Sequence, residues 1–411
     1  CNNSTITTAT ISKNANFDGP NTFGTLNLTG AGAAYTFKSN ATQTITTALN
    51  VTGGTCSALV SLNSSTPGTQ ATISMASGTP TINYVNLKDM KALGGATFTA
   101  NNAVNLGNNT GWTIGLVTSK NYYWIGGTGN WTDNSHWSLT SGGAASGCGP
   151  SVLDNVFFDA NSFSAAGQTV TIAGPASVVN MNWTGVTNNP RFDVGGSTLN
   201  IYGSLTLASA MTVSNWTNVN FLATTTGQTI TTAGKSVGTS TFVLNGIGGG
   251  WTLQDGLTCG NLYLTNGSFN TNSQTINANF FESSNTNVRS LTLGTSTFNL
   301  FCNACNEWNV NATNLTYSAG ATTFNMKGGN TNFIGGGLTY NTVNSILVNG
   351  GFIYDGTFNN VNLTLGGSVS NCTITNFTCD VYPLDRCNNS TITTATISKN
   401  ANFDGPNTFG T

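Results

Sequence analysis

The sequence predicts an all-β fold, a right-handed parallel β-helix or β-solenoid repeated in tandem. Three observations predict it. Residues Cys1 to Thr25 (CNNSTITTATISKNANFDGPNTFGT) recur unchanged at Cys387 to Thr411, a period of 386 residues. That is the signature of a tandem array. Apolar residues make up 38% of the chain and fall in short alternating clusters such as Thr5-Ile6-Thr7, Thr169-Val170-Thr171-Ile172 and Thr229-Ile230-Thr231, the period of half-buried strands. Only 11 Lys plus Arg and 13 Asp plus Glu occur among 411 residues, so Thr, Ser, Asn and Gly must build the surface. An ordinary domain carries roughly a quarter charged residues.

The same composition narrows the partners. A net charge of −2 leaves no basic footprint for nucleic acid and no polybasic stretch for a membrane surface. No run of 18 apolar residues is long enough for a spanning helix, so direct membrane insertion is not expected. The apolar content also separates the chain from disordered polar sequences, which cannot bury enough surface to offset chain entropy. No leader pattern precedes Cys1, and with the repeat the sequence reads as a window on something longer.

Inside the period, Gln43-Thr44-Ile45, Gln168-Thr169-Val170, Gln228-Thr229-Ile230 and Gln274-Thr275-Ile276 form a weaker echo at uneven spacing. Uneven coils suit a solenoid better than a propeller, because each coil need match only its neighbours. Inward positions take Val, Ile, Leu and Phe, outward ones Thr and Ser, and Asn and Gly the corners. β-Branched residues, Asn and Gly argue against helix nearly everywhere; Val85 to Leu93 is the one short helical candidate. At about 4.8 Å per coil and roughly 20 to 30 residues per coil, one period spans on the order of 60 to 90 Å.

The elements then follow in order. Residues 1–117 read as the C-terminal part of one repeat unit, with the boundary near Val117 to Lys120. Residues 118–160 form a Trp-rich junction and cap, 161–386 the main solenoid of the next unit, and 387–411 its continuation as a copy of 1–25. Tyr122 to Ser138 holds three of the eight tryptophans, Trp124, Trp131 and Trp137, and the single histidine, His136. These rings read either as an aromatic platform for glycan contact or as a plug closing one solenoid at its junction with the last. One histidine with Asp133 nearby makes neither a catalytic constellation nor a metal site.

The motif Trp124-Ile-Gly-Gly-Thr-Gly-Asn-Trp-Thr-Asp, followed by His136-Trp137-Ser138, Ser141-Gly142-Gly143, Pro150 and Asp154-Asn155-Val156-Phe157-Phe158-Asp159, resembles the opening of modules in giant repetitive surface proteins of Bacteroidota. Leu87-Lys88-Asp89-Met90, Gly94-Gly95-Ala96-Thr97-Phe98 and Asn109-Thr110-Gly111-Trp112 resemble their close. The resemblance implies a cell-surface adhesin, of the SprB-type gliding kind, exported by type IX secretion.

Nine cysteines reduce to eight per period, an even count that fits disulfides in an oxidising, extracellular setting. Pairing Cys302 with Cys305 and Cys379 with Cys387 closes two short polar loops, and Cys1 then lacks only the partner in a preceding copy. The other reading of Cys302-Asn303-Ala304-Cys305 is a redox or zinc motif. Redox use places such a pair at a helix start, and zinc needs a second pair of ligands.

Catalytic β-helices cluster carboxylates for acid and base work or for calcium. Here Asp18, Asp89, Asp133, Asp193, Asp255, Glu282, Glu307 and Asp355 are dispersed, and only Asp154 with Asp159 and Asp380 with Asp385 lie close in sequence. Asp154 and Asp159 are the calcium candidates, weighed against an ordinary turn role; no other cofactor is expected. The reading is a structural and adhesive repeat rather than an enzyme, with neighbouring copies, surface glycans or other cells as partners. Its rivals are a polysaccharide-active β-helix, a glycan-binding module, and a sheath or surface-layer protein. An ice- or crystal-surface binder needs a flat array of outward Thr at fixed coil positions, and the uneven echoes speak against it.

Overall fold

A computed structural model describes residues 2–56, 58–116, 118–238, 240–346, 351–364, 367–380, 384–398 and 401–410. Alternation of apolar and polar residues has produced short parallel strands stacked coil on coil, a β-solenoid of about 19 turns, with one short 3₁₀ segment among the described residues, Asn134–His136. The chain divides into two compact units. Residues 1–120 with 146–153 make the first, and residues 121–145 with 154–411 the second.

In the first unit, a single core column shows how the coils are held. Ile11, Leu28, Val51, Ile82, Ala100 and Ile114 lie one above another in parallel register. Phe17 stacks on Phe37 at 4.6 Å and meets Phe23 edge-on. The expected helix from Val85 to Leu93 is not formed. Strands Val85–Lys88 and Met90–Leu93 replace it, because Val85, Leu87, Met90 and Ala92 alternate inward at a period of two. Asp89 joins the two strands with φ of 55°, and its carboxylate accepts from Gly68 N and Asn108 Nδ2.

The second unit repeats the logic over more coils. Val219, Phe242, Leu262, Phe281, Trp308, Phe333, Ile353, Val369, Cys387 and Phe403 form one column. Successive coils differ in length: strand partners are 16 residues apart at Asn360 and Asn376, 27 at Phe281 and Trp308, and 41 at Gly129 and Val170. Register survives because the extra residues go into the corners, where Asn272, Ser273 and Asn314 take left-handed backbone and spare the strands.

The duplicated segment provides an internal comparison. Thr5 and Ile6 pair with Thr22 and Phe23 in the first unit; Thr391 and Ile392 pair with Thr408 and Phe409 in the second. Each pair is related by the 386-residue period, so identical sequence has taken identical register at both ends. At the second site the segment stacks directly on the preceding coil, Thr373 to Cys379 against Thr391 to Ile397.

Candidate junction and surface sites

The Tyr122 to Ser138 motif builds the first coils of the second unit. Strand Asn121–Trp124 runs antiparallel to Trp137–Ser138 and parallel to Asn155–Phe157. This folds Trp124, Trp131 and Trp137 into one cluster with Phe158, and Phe158 stacks on Trp183 at 3.7 Å. All three tryptophans are buried, and Trp124 Nε1 and Trp137 Nε1 donate to Gly127 O and Trp131 O. The glycan-platform reading of these rings is therefore corrected. Their faces are spent on one another, as core.

His136 lies flat on Trp124, with ring centroids 4.7 Å apart. Its Nδ1 is 2.7 Å from Ile125 O, so that nitrogen carries the proton, and Nε2 is 3.9 Å from Asp133 Oδ2. A Cβ at residue 129 would sit 2.1 Å from Nε2, which explains the glycine there. Asp133 caps the 3₁₀ turn by accepting from Ser135 N and Oγ, which holds its carboxyl below the usual range. The histidine is a packed strut of the cap.

Cys302 and Cys305 are bonded, and their loop is pinned by Ala304 N to Gly329 O and Asn332 N to Cys305 O. A second disulfide, Cys56–Cys148, spans 92 residues and fastens the excursion 146–153 within the first unit. Nothing in the sequence singles out that pair. The expected Cys379–Cys387 bond is not made: Cys387 keeps its thiol, which approaches Asn407 Oδ1 at 3.6 Å. The reason is register. Cys387 lies between Val369 and Phe403, whereas Cys379 lies between Leu363 and Ile397, a different core column. Burial pushes the Cys387 thiol up to about 11, and those of Cys259 and Cys372 to about 12. Cys1 and the side chain of Asp385 lie outside the described residues.

Asp159 has a turn role, its Oδ1 accepting from Asn161 N at 2.9 Å, and Asp154 is buried with its backbone oxygen on Val179 N. Among the described residues no group of three or more His, Cys, Asp or Glu converges on a point that would hold a metal ion. The burial of Arg289 and of Glu307 has no signal in the sequence. Arg289 gives its Nε, Nη1 and Nη2 to Asn287 O, Ser283 O, Ser283 Oγ, Asn311 O and Thr313 O, and burial lowers its pKa. Glu307 accepts from Gly328 N and Thr331 Oγ1, and burial raises its carboxyl to about 8.

The outward face of the second unit carries two unbroken columns. One runs Thr275, Thr297, Thr323, Thr342, Asn360, Asn376 and Thr394; the other runs Thr258, Asn277, Asn299, Asn325, Asn344, Asn362, Thr378 and Thr396. Within the second, each amide Nδ2 donates to the Oδ1 below it, from Asn362 down to Asn277, which donates to Thr258 Oγ1. A regular outward array thus exists despite the uneven echoes. Spacing along the sequence reports corner length, not register.

No family model, no curated protein and no solved structure matches this chain. Fold and bonds together define it as a tandem-repeated, disulfide-bearing parallel β-solenoid.

Proposed function

We propose that the chain is a structural and adhesive repeat of a long extracellular filament, displayed on a bacterial surface as the module motifs imply. Its role is mechanical: load passes along hydrogen-bonded coils, and many copies add weak contacts into avidity. The observation that carries this reading is the shared register of residues 1–25 and 387–411. A coil that can begin one copy and end another lets the solenoid run through the repeat boundary, leaving no open sheet edge there. The disulfides support an oxidising location. Gliding or attachment at the cell surface belongs to the same reading, with surface glycans or neighbouring cells as partners.

Immunogold labelling of intact cells with an antibody to residues 161–346 tests it. Label spaced along thin surface filaments is the expected result; label confined to the cytoplasm, or to a compact secreted protein, overturns it.

A further inference from the structure

We propose that the Thr and Asn columns of the second unit form a docking face for the flat surface of a neutral, insoluble polysaccharide. The proposal rests on the adhesive reading and names the class of surface touched. The columns are regular in two directions, about 4.8 Å between rungs and about 6.6 Å between columns, since side chains recur every second residue. Neither column contains a charged residue, and the column flanking them carries one charge of each sign, Lys327 and Asp380, so the face has no net charge to draw an acidic glycan, a nucleic acid or an anionic membrane.

What it does offer is neutral hydrogen bonding held in fixed orientation. Each ladder amide spends one N–H and one lone pair on its neighbours, which leaves a second of each. The threonines add hydroxyls that both donate and accept. Two residues further along the strands, Phe301 and Ile346 are 44% and 36% exposed, with Lys327 Nζ over one face of the Phe301 ring. A polar strip flanked by two exposed apolar side chains, in a column that otherwise holds Lys327, Thr364, Asp380 and Ser398, matches a sugar chain, whose hydroxyls alternate with C–H faces. Ice has the hydroxyls but no C–H face to meet those two side chains.

Continuity extends the strip. Thr394 and Thr396 are the copies of Thr8 and Thr10, which pair with Thr25 and Asn27; Asn27 in turn accepts from Asn50 Nδ2. In a tandem array the columns pass from one copy into the next, and the neutral contacts accumulate.

The test is depletion of the full 411-residue chain from solution by microcrystalline cellulose and by chitin. Binding is expected, unchanged between low and high salt because no ion pairs carry it. The double variant Thr297→Lys/Thr323→Lys should weaken binding by more than about tenfold. Thr224→Lys, on an exposed loop, should bind as wild type, and circular dichroism checks the fold of each. If the lysine pair fails to fold, Thr297→Ala/Thr323→Ala removes the hydroxyls and should weaken binding a few-fold. No binding, binding lost in high salt, or binding indifferent to both double variants overturns the proposal. So does thermal hysteresis in cold solution without polysaccharide binding, which gives the face to ice. The assay uses the isolated chain, so an absence of filaments on cells sinks the filament reading alone, and filaments without binding sink only the docking face.

Discussion

Glu307 shows how a single side chain ties stability to pH. Burial lifts its carboxyl from 4.5 to about 8, and none of the three ion pairs among the described residues includes it. A pKa raised on folding contributes stability that is fully present below the unfolded value and is lost as pH rises through the folded one. The second unit should therefore weaken between pH 4.5 and about 8, by up to about 1.4 kcal/mol per pH unit. Denaturation midpoints across that range should slope downward for wild type and flatten for Glu307→Gln. The tryptophans give a second residue-scale expectation. Trp183 Nε1 is buried without a partner, whereas Trp124 Nε1 donates to Gly127 O at 2.7 Å. Trp124→Phe should thus cost about 1–2 kcal/mol more than Trp183→Phe in denaturant unfolding, since only the former orphans an acceptor.

At the scale of elements, the Asn ladder couples neighbouring coils. Asn325 donates to Asn299 and accepts from Asn344, so Asn325→Ala breaks two rungs and should cost about 1–3 kcal/mol in the same measurement. The strands themselves were legible from alternation. The Gln-Thr-Ile echoes mark strand entries, with Ile45, Val170, Ile230 and Ile276 all buried. Their glutamines do different work: Gln43 is buried and donates to Gly19 O, while Gln168 accepts from Ser164 N and Ala165 N in a turn. Column register was not legible, because corners of different length hide it. Nor was the fate of the aromatic motif, since a run of Trp and Tyr looks the same whether its rings face water or one another. Local loop closure identified Cys302 with Cys305. The same logic failed for Cys379 with Cys387, where coil position decides, and it has no purchase on Cys56 with Cys148.

For the whole molecule, the long-range disulfide sets what force can unravel. Cys56–Cys148 removes about 4–5 kcal/mol of loop entropy from the unfolded chain in the loop-closure model. It also shields the residues between from tension. Pulled by its ends in single-molecule force spectroscopy, the oxidised chain should extend less than the reduced one, by on the order of 300 Å. Equal extensions would mean that the bond does not form. Reduction should leave the coils of the second unit intact, because their core columns contain no disulfide.

A filament of this kind requires the solenoid to run on through the repeat boundary. Cryo-electron microscopy of a chain of three successive 386-residue copies tests it most directly. Parallel coils should continue from Gly367–Cys379 of one copy into Thr5–Ile11 and Asn21–Leu28 of the next, in the register seen here. The axial period should be no longer than about 90 Å. Copies separated at residues 387–411 by unpaired chain, with the strand edge open, would contradict it.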